Sequence, residues 1–208
     1  MPEKFLWEGK ITRVQPRIRL HRSFDEASHS YLGYVLQIEG KINSEEREFS
    51  VAVGKGAQAK HAFQPGDIVR GACAPVENSD KETAEFYKAS GLKVMARAQV
   101  SWEPPPWQGC PPDLGTYRFR GHRRLDARTY SARCGPCVWG CRMPVEITID
   151  QWNPEKVRYR QETFCYGPKS CTFYRPGPTR KVPGRKGMVY EEEDWVDEEA
   201  TDHRGPDE

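Results

Sequence analysis

Long apolar runs are missing from this chain. No stretch of its 208 residues approaches the roughly 20 apolar residues of a membrane-crossing helix, so no membrane partner is expected. The opening residues, "MPEKFLWEGKITRV", lack the apolar core and small-residue cleavage site of a secretory leader. Catalytic signatures are missing too. There is no G-x-x-x-x-G-K-[ST], no G-x-G-x-x-G after a strand and no H-E-x-x-H. The five histidines, His21, His29, His61, His122 and His203, are scattered. The only C-x2-C has no H-x-E before it, which removes the zinc-deaminase pattern. A non-catalytic protein is the expectation. An enzyme would have to rest on a Cys141 thiol beside Arg142. Apolar residues are also few, at 37% with a mean hydropathy of −0.83, which leaves little material for a large core.

Turn formers and cysteines are abundant. Seventeen prolines and eighteen glycines point to short strands and irregular segments. Five of the seven cysteines fall between positions 134 and 171. With no secretory leader the expected location is cytoplasmic, where clustered cysteines serve metals or redox chemistry rather than structural disulfides.

Residues 4–100 read as five short strands. "YLGYVLQIEG" puts Leu32, Tyr34, Leu36 and Ile38 on one face, and "REFSVAVGKG" continues the period with Phe49, Val51 and Val53. "KGAQAKHAF" suits a short helix between the third and fourth strands. "FQPGDIVRGACAPV" is a Pro-Gly-Asp turn feeding a strand that buries Cys73, and "GLKVMARAQV" supplies the last strand. Pro16, within "FLWEGKITRVQPRIRL", requires an edge or a bulge. Five strands with a helix after the third, and the "FQPGDIVRG" turn, resemble an OB-fold, a small Greek-key barrel. The resemblance covers about half of the chain and implies single-stranded nucleic acid as the ligand.

"SWEPPPWQGCPPDLGTY" breaks the strand pattern. It reads as a semi-rigid connector whose Trp102 and Trp107 pack back onto a domain. The cysteine module follows, with C-x2-C-x3-C at Cys134, Cys137 and Cys141 and C-x5-C at Cys165 and Cys171. Between them "VEITIDQWNPEKVRYRQETF" alternates, turns at "QWNPEK" and alternates again, a β-hairpin. The layout resembles a zinc ribbon, in which two cysteine pairs at a hairpin hold one tetrahedral ion. Cys134, Cys137, Cys165 and Cys171 are the expected ligands, with Cys141 as a substitute. A [4Fe–4S] cluster is the alternative occupant.

Charge is distributed unevenly. Residues 191–208 carry ten acids and one arginine, a net of −9 within a chain of net +2. A basic body with an acidic tail suits a polyanionic partner. Arginine, whose planar fork matches phosphate oxygens, marks the expected nucleic-acid contacts. These are Arg13, Arg17, Arg19 and Arg22 on the first strand, Arg118, Arg120, Arg123 and Arg124 after the connector, and Arg158 and Arg160 in the hairpin. Tyr31 is the expected stacking platform, while Tyr34 belongs to the core. The expected organisation is therefore mainly β. It comprises an OB-like five-stranded barrel (1–100), a proline-rich connector and basic segment (101–130), a zinc-ribbon-like β-hairpin module (131–175), and a basic extension with a disordered acidic tail (176–208). The tail offers a protein partner Trp195 and Val196. The expected function is single-stranded RNA or DNA binding. The alternatives are a protein–protein adaptor and an iron–sulfur redox or sensor protein.

Overall fold

A computed structural model describes residues 4–24, 26–99 and 105–208. The fold is mainly β, and its first strand organises the rest. β1 (Phe5–Arg22) pairs along its length with antiparallel β2 (Ala27–Ile42), which turns into β3 (Glu45–Val53). Helix α1 (Lys55–His61) leads to β4 (Ile68–Pro75) and β5 (Phe86–Ala96). β4 returns antiparallel to the first half of β1, at Phe5–Lys10, and β5 lies between β4 and β3. The five strands thus form a ring, β1-β2-β3-β5-β4 and back to β1.

The residues expected inside the ring are inside it. Leu36, Ile38, Phe49 and Val51 are wholly buried, and Tyr34 is nearly so. The Pro-Gly-Asp turn closes on a buried carboxylate. Asp67 accepts from Gln64 N, from Ala98 N and from Arg97 Nη1 at 3.3, 3.0 and 2.9 Å. Cys73 is buried in β4, with its thiol pushed up to about 12 by burial. Gly33, at φ 142°, cannot be replaced freely, because a Cβ there would stand 2.2 Å from Val53 O.

β1 does not stop at the ring. Beyond Lys10 it leaves β4, and at Leu20–Arg22 it pairs parallel with β7 (Gly140–Thr148). Pro16 lies in the interval between these neighbours, where a missing N–H costs no ladder bond, and a register shift follows at Arg17/Ile18. β7 and antiparallel β8 (Val157–Cys165) are the predicted cysteine hairpin, extended by the two-residue β6 (Arg123–Arg124). One apolar core runs through both parts, from Trp7 and Phe49 to Met143, Val145 and Phe164. The connector contributes to it. α2 (Leu114–Arg120) forms after the prolines, capped by Asp113, and buries Leu114 and Tyr117. Trp107 O accepts from Val138 N at 2.8 Å, whereas Trp102 lies outside the described residues. Among the described residues no helix is long and apolar enough to cross a membrane.

The acidic end of the chain is ordered, contrary to expectation. β9 (Arg180–Pro183) and β10 (Val189–Glu192) form a hairpin, and α4 (Asp194–Thr201) follows. The physical reason is pairing with arginines inside the fold. Arg22 Nη2 donates to Glu192 at 2.6 Å, both side chains being buried. Arg124, with no solvent exposure, donates from Nε to Asp197 at 3.0 Å and from Nη1 to Glu192 O at 2.8 Å. The charge pattern that suggests disorder instead supplies counter-ions.

Removing one member of a buried pair strands the other. Arg124→Met is expected to destabilise the protein by about 3–5 kcal/mol, read as a lower urea midpoint. The double change Arg124→Met/Asp197→Leu should cost less than the single one, because no unpaired carboxylate is left behind.

Candidate functional site

The cysteine clusters meet at one end of the β7–β8 hairpin, where Gly140 pairs with Cys165. The first turn grows from α3 (Ala127–Thr129), which widens into a π-helical turn through Cys134. It then folds back by Cys137 N to Cys134 O at 3.1 Å and Gly140 N to Cys137 O at 3.0 Å. A single side chain holds it. Gln15 on β1 donates from Nε2 to Gly135 O at 2.8 Å, with Cys137 O and Cys134 O at 3.3 and 3.4 Å. Its Oε1 accepts from Tyr130 OH at 2.6 Å. Gly140 fits only as glycine, since a Cβ would stand 2.3 Å from Cys134 O.

The second turn follows β8. Cys165 Sγ accepts from Gly167 N at 3.3 Å, and Cys171 N donates to Pro168 O at 3.2 Å. The backbone of Trp139 and of Trp107 acts on Cys137 in the same sense, favouring its thiolate. The Gly167 amide thus favours a thiolate at Cys165. Burial is the larger effect in the absence of a cation. It pushes Cys137 up to about 12, and it raises Cys134 to about 11 with further contributions from Cys165 and Cys171. These mutual effects place Cys134, Cys137, Cys165 and Cys171 within one electrostatic neighbourhood. Among the described residues, no three His, Cys, Asp or Glu side chains stand in ready metal-ligand geometry, so the four thiols are neighbours rather than a preformed cage. Cys141 is elsewhere. It is wholly buried in the main core, its thiol raised by burial alone and directed at Pro16 O at 3.5 Å.

Three arginines surround the second turn. Arg120 Nε donates to Tyr166 O at 2.6 Å, Arg123 Nη2 to Pro168 O at 2.9 Å, and Arg204 Nη1 to Gly167 O at 3.2 Å. All three act electrostatically on Cys165. Four of their N–H groups, Arg120 Nη2, Arg123 Nε and Arg204 Nε and Nη2, are buried without an acceptor. Clustered guanidinium groups with unspent donors call for negative charge. Neutral thiols do not supply it, whereas four thiolates around a divalent ion carry a net −2. The donor set and its surroundings therefore fit a metal–thiolate centre.

The predicted nucleic-acid arginines divide into groups. Arg22, Arg123 and Arg124 are buried and structural, which corrects their expected role. Arg17 pairs with Glu82, Arg19 donates to Lys81 O at 2.7 Å, and Arg160 pairs with Glu162. Arg120 belongs to the thiol turn, with its guanidinium 4.4 Å over Trp139. Arg158 is exposed, and Arg118 lies 4.9 Å over the Tyr31 ring. Arg13 alone lines a polar cleft of about 270 Å³ on the outer faces of β1, β2 and β3. There it meets Gln37 at 3.4 Å and faces Tyr130 together with the exposed Arg142. No protein-family model matches the chain, and neither a curated protein nor a solved structure does.

Sequence reasoning missed Gln15, Tyr130 and Arg204 as site residues, and it named Arg142 only as a neighbour of a Cys141 thiol, not as a cleft residue. For Arg142 a signal existed, because strand alternation after the inward-facing Cys141 turns it outward. It also missed a histidine pair, His29 and His122, whose ring centroids are 4.8 Å apart. Burial, then Arg22 and His21, lowers His29 from 6.5 to about 4. A histidine depressed in the folded state favours folding above its unfolded pKa of about 6.5 and loses that contribution as pH falls. The expected result is a stability decline between about pH 6.5 and 4, measured as Tm. His29→Gln should flatten that decline.

Proposed function

We propose that this protein binds single-stranded nucleic acid, RNA or DNA, without catalysing a reaction of its own. In this reading the five-stranded ring is an OB-like barrel and the β7–β8 hairpin is a zinc-ribbon-like module. The ring order, with its helix between the third and fourth strands, supports the first assignment. The observation that carries the function is the cleft across β1, β2 and β3. Its two arginines, Arg13 and Arg142, come from the ring and from the hairpin, so one strand of phosphates would touch both parts. Guanidinium groups supply charge and paired N–H donors to phosphate oxygens, and ordered polar neighbours such as Gln37 and Ser50 suit sugar and base edges.

Zinc held by Cys134, Cys137, Cys165 and Cys171 would act as a structural cross-link. It would stabilise a small hairpin end and fix Arg142 and Tyr130 against β1. A reducing compartment, the cytoplasm, keeps such thiols available to the ion.

The test is titration of single-stranded RNA and DNA oligonucleotides at a series of salt concentrations. Affinity is expected to fall with salt. The double variant Arg13→Ala/Arg142→Ala should weaken binding about tenfold and flatten the logarithmic salt slope by about 1.4, about 0.7 for each lost phosphate contact. Salt-independent binding, or no effect of the double change, would contradict the proposal.

A further inference from the structure

The turn that joins β7 to β8 holds up one aromatic side chain. Trp152 is 84% exposed, more than any other large apolar side chain among the described residues. Its turn is nonetheless fixed. Trp152 N donates to Asp150 Oδ1 at 3.1 Å, Asn153 N to Asp150 O at 2.9 Å, and Lys156 N to Asn153 O at 3.0 Å. Trp139 lies against Tyr117 and under Arg120, whereas no ring or cation of the described residues packs on Trp152. An indole left in water forgoes the large apolar burial that this side chain otherwise supplies.

Charge selects the partner. Lys156 and Arg158 on the hairpin, and Arg185 and Lys186 in the β9–β10 turn, are exposed. Arg185 Nε stands 3.9 Å from Asp150 Oδ1, which sets the two turns side by side. Asp150 and Glu155 are the acids of residues 150–158 and 184–188, so four cations less two carboxylates leave the tip at +2. Trp195, at 51% exposure, sits instead among Asp194, Asp197 and Glu198 and suits no polyanion. β7 also carries Arg142 of the phosphate cleft. Alternation puts Arg142, Glu146 and Thr148 on one face, and Arg142 to Thr148 spans about 20 Å at about 3.4 Å per residue. Glu146 is already engaged, accepting from Tyr159 OH at 3.0 Å and facing His21 Nδ1 at 3.6 Å.

We propose that Trp152 is the distal stacking platform of a single strand whose phosphates are held at Arg13 and Arg142. The strand leaves the cleft along the outer face of the hairpin, and a base beyond the reach of those arginines stacks on the indole. Every base has a π-face, so the platform tolerates any sequence. The positive tip draws the strand in, while the stack itself takes no phosphate. The inference rests on the single-strand reading and extends its footprint by the length of the hairpin.

The experiment titrates oligo-dT of about 16 nucleotides into the native chain, Trp152→Ala and Trp152→Phe at a series of salt concentrations. Trp152→Ala is expected to weaken binding about tenfold, the value of one base–aromatic stack. Its logarithmic salt slope should match the native one, because no phosphate contact is lost. Trp152→Phe should recover most of the affinity. Oligo-dT should quench the native tryptophan emission and quench Trp152→Phe much less, although that variant still binds. The exposed side chain can be replaced without a loss of Tm, so weakened binding reports the contact. Unchanged affinity in Trp152→Ala, or a flattened slope, overturns the platform. If Arg13→Ala/Arg142→Ala still weakens binding, the single-strand reading stands without it. No binding by the native chain overturns both. Vesicles of phosphatidylserine and phosphatidylcholine supply the last arm. A Trp152-dependent blue shift on vesicles, with no quenching by oligo-dT, assigns the tip to an anionic membrane surface and likewise overturns the platform.

Discussion

The side chain of Gln15 joins the two halves of the molecule. It stands on β1, in the interval between the ring and the hairpin, and its amide nitrogen reaches three carbonyls of the first cysteine turn. Its oxygen takes the Tyr130 hydroxyl. A turn with several inward carbonyls would be costly to bury, because each needs a donor. One amide at 7% exposure satisfies the group. The position of Cys134 and Cys137 relative to the five-stranded ring, and of Tyr130 relative to Arg13, follows from that contact.

Charge placement divides the arginines by what they meet. Arg22 and Arg124 find carboxylates on the C-terminal segment, and Arg180 pairs with Glu162. These pairs hold the β9–β10 hairpin and α4 to the body. Arg120, Arg123 and Arg204 instead converge on the turn after Cys165 with buried donors unspent. Arg204 comes from the residues just past α4, so the acidic segment brings its own arginine to the thiol site. The proposed metal–thiolate centre would give those guanidinium groups their counter-charge. The proposed phosphate contacts, Arg13 and Arg142, differ from both sets by facing an open cleft.

Much of this was legible from residue order. Alternation marked β2 and β3, glycine and lysine after Val53 marked α1, and the segment between the cysteine clusters marked the β7–β8 hairpin. These are local patterns, which short-range geometry fixes. The errors came from long-range pairing. Nothing near Glu192 or Asp197 in the chain announces Arg22 or Arg124, so a run of acids read as solvated. Arg123 and Arg124 looked like phosphate contacts for the same reason. Cys141 fits a ligand by spacing alone, yet strand β7 turns it into the core. Gln15 carries no motif, and only the fold reveals what its amide meets.

The central claim is that four thiolates hold one ion in a centre of net negative charge, which the arginines neutralise. Metal analysis with a visible spectrum on anaerobically purified protein tests it most directly, alongside the Cys165→Ser and Cys141→Ser variants. The account predicts one zinc per chain and no visible absorption, with the metal lost in Cys165→Ser and retained in Cys141→Ser. Visible absorption with stoichiometric iron would replace zinc by a cluster. Metal-free wild-type protein, or metal that depends on Cys141 and not on Cys165, would contradict the account.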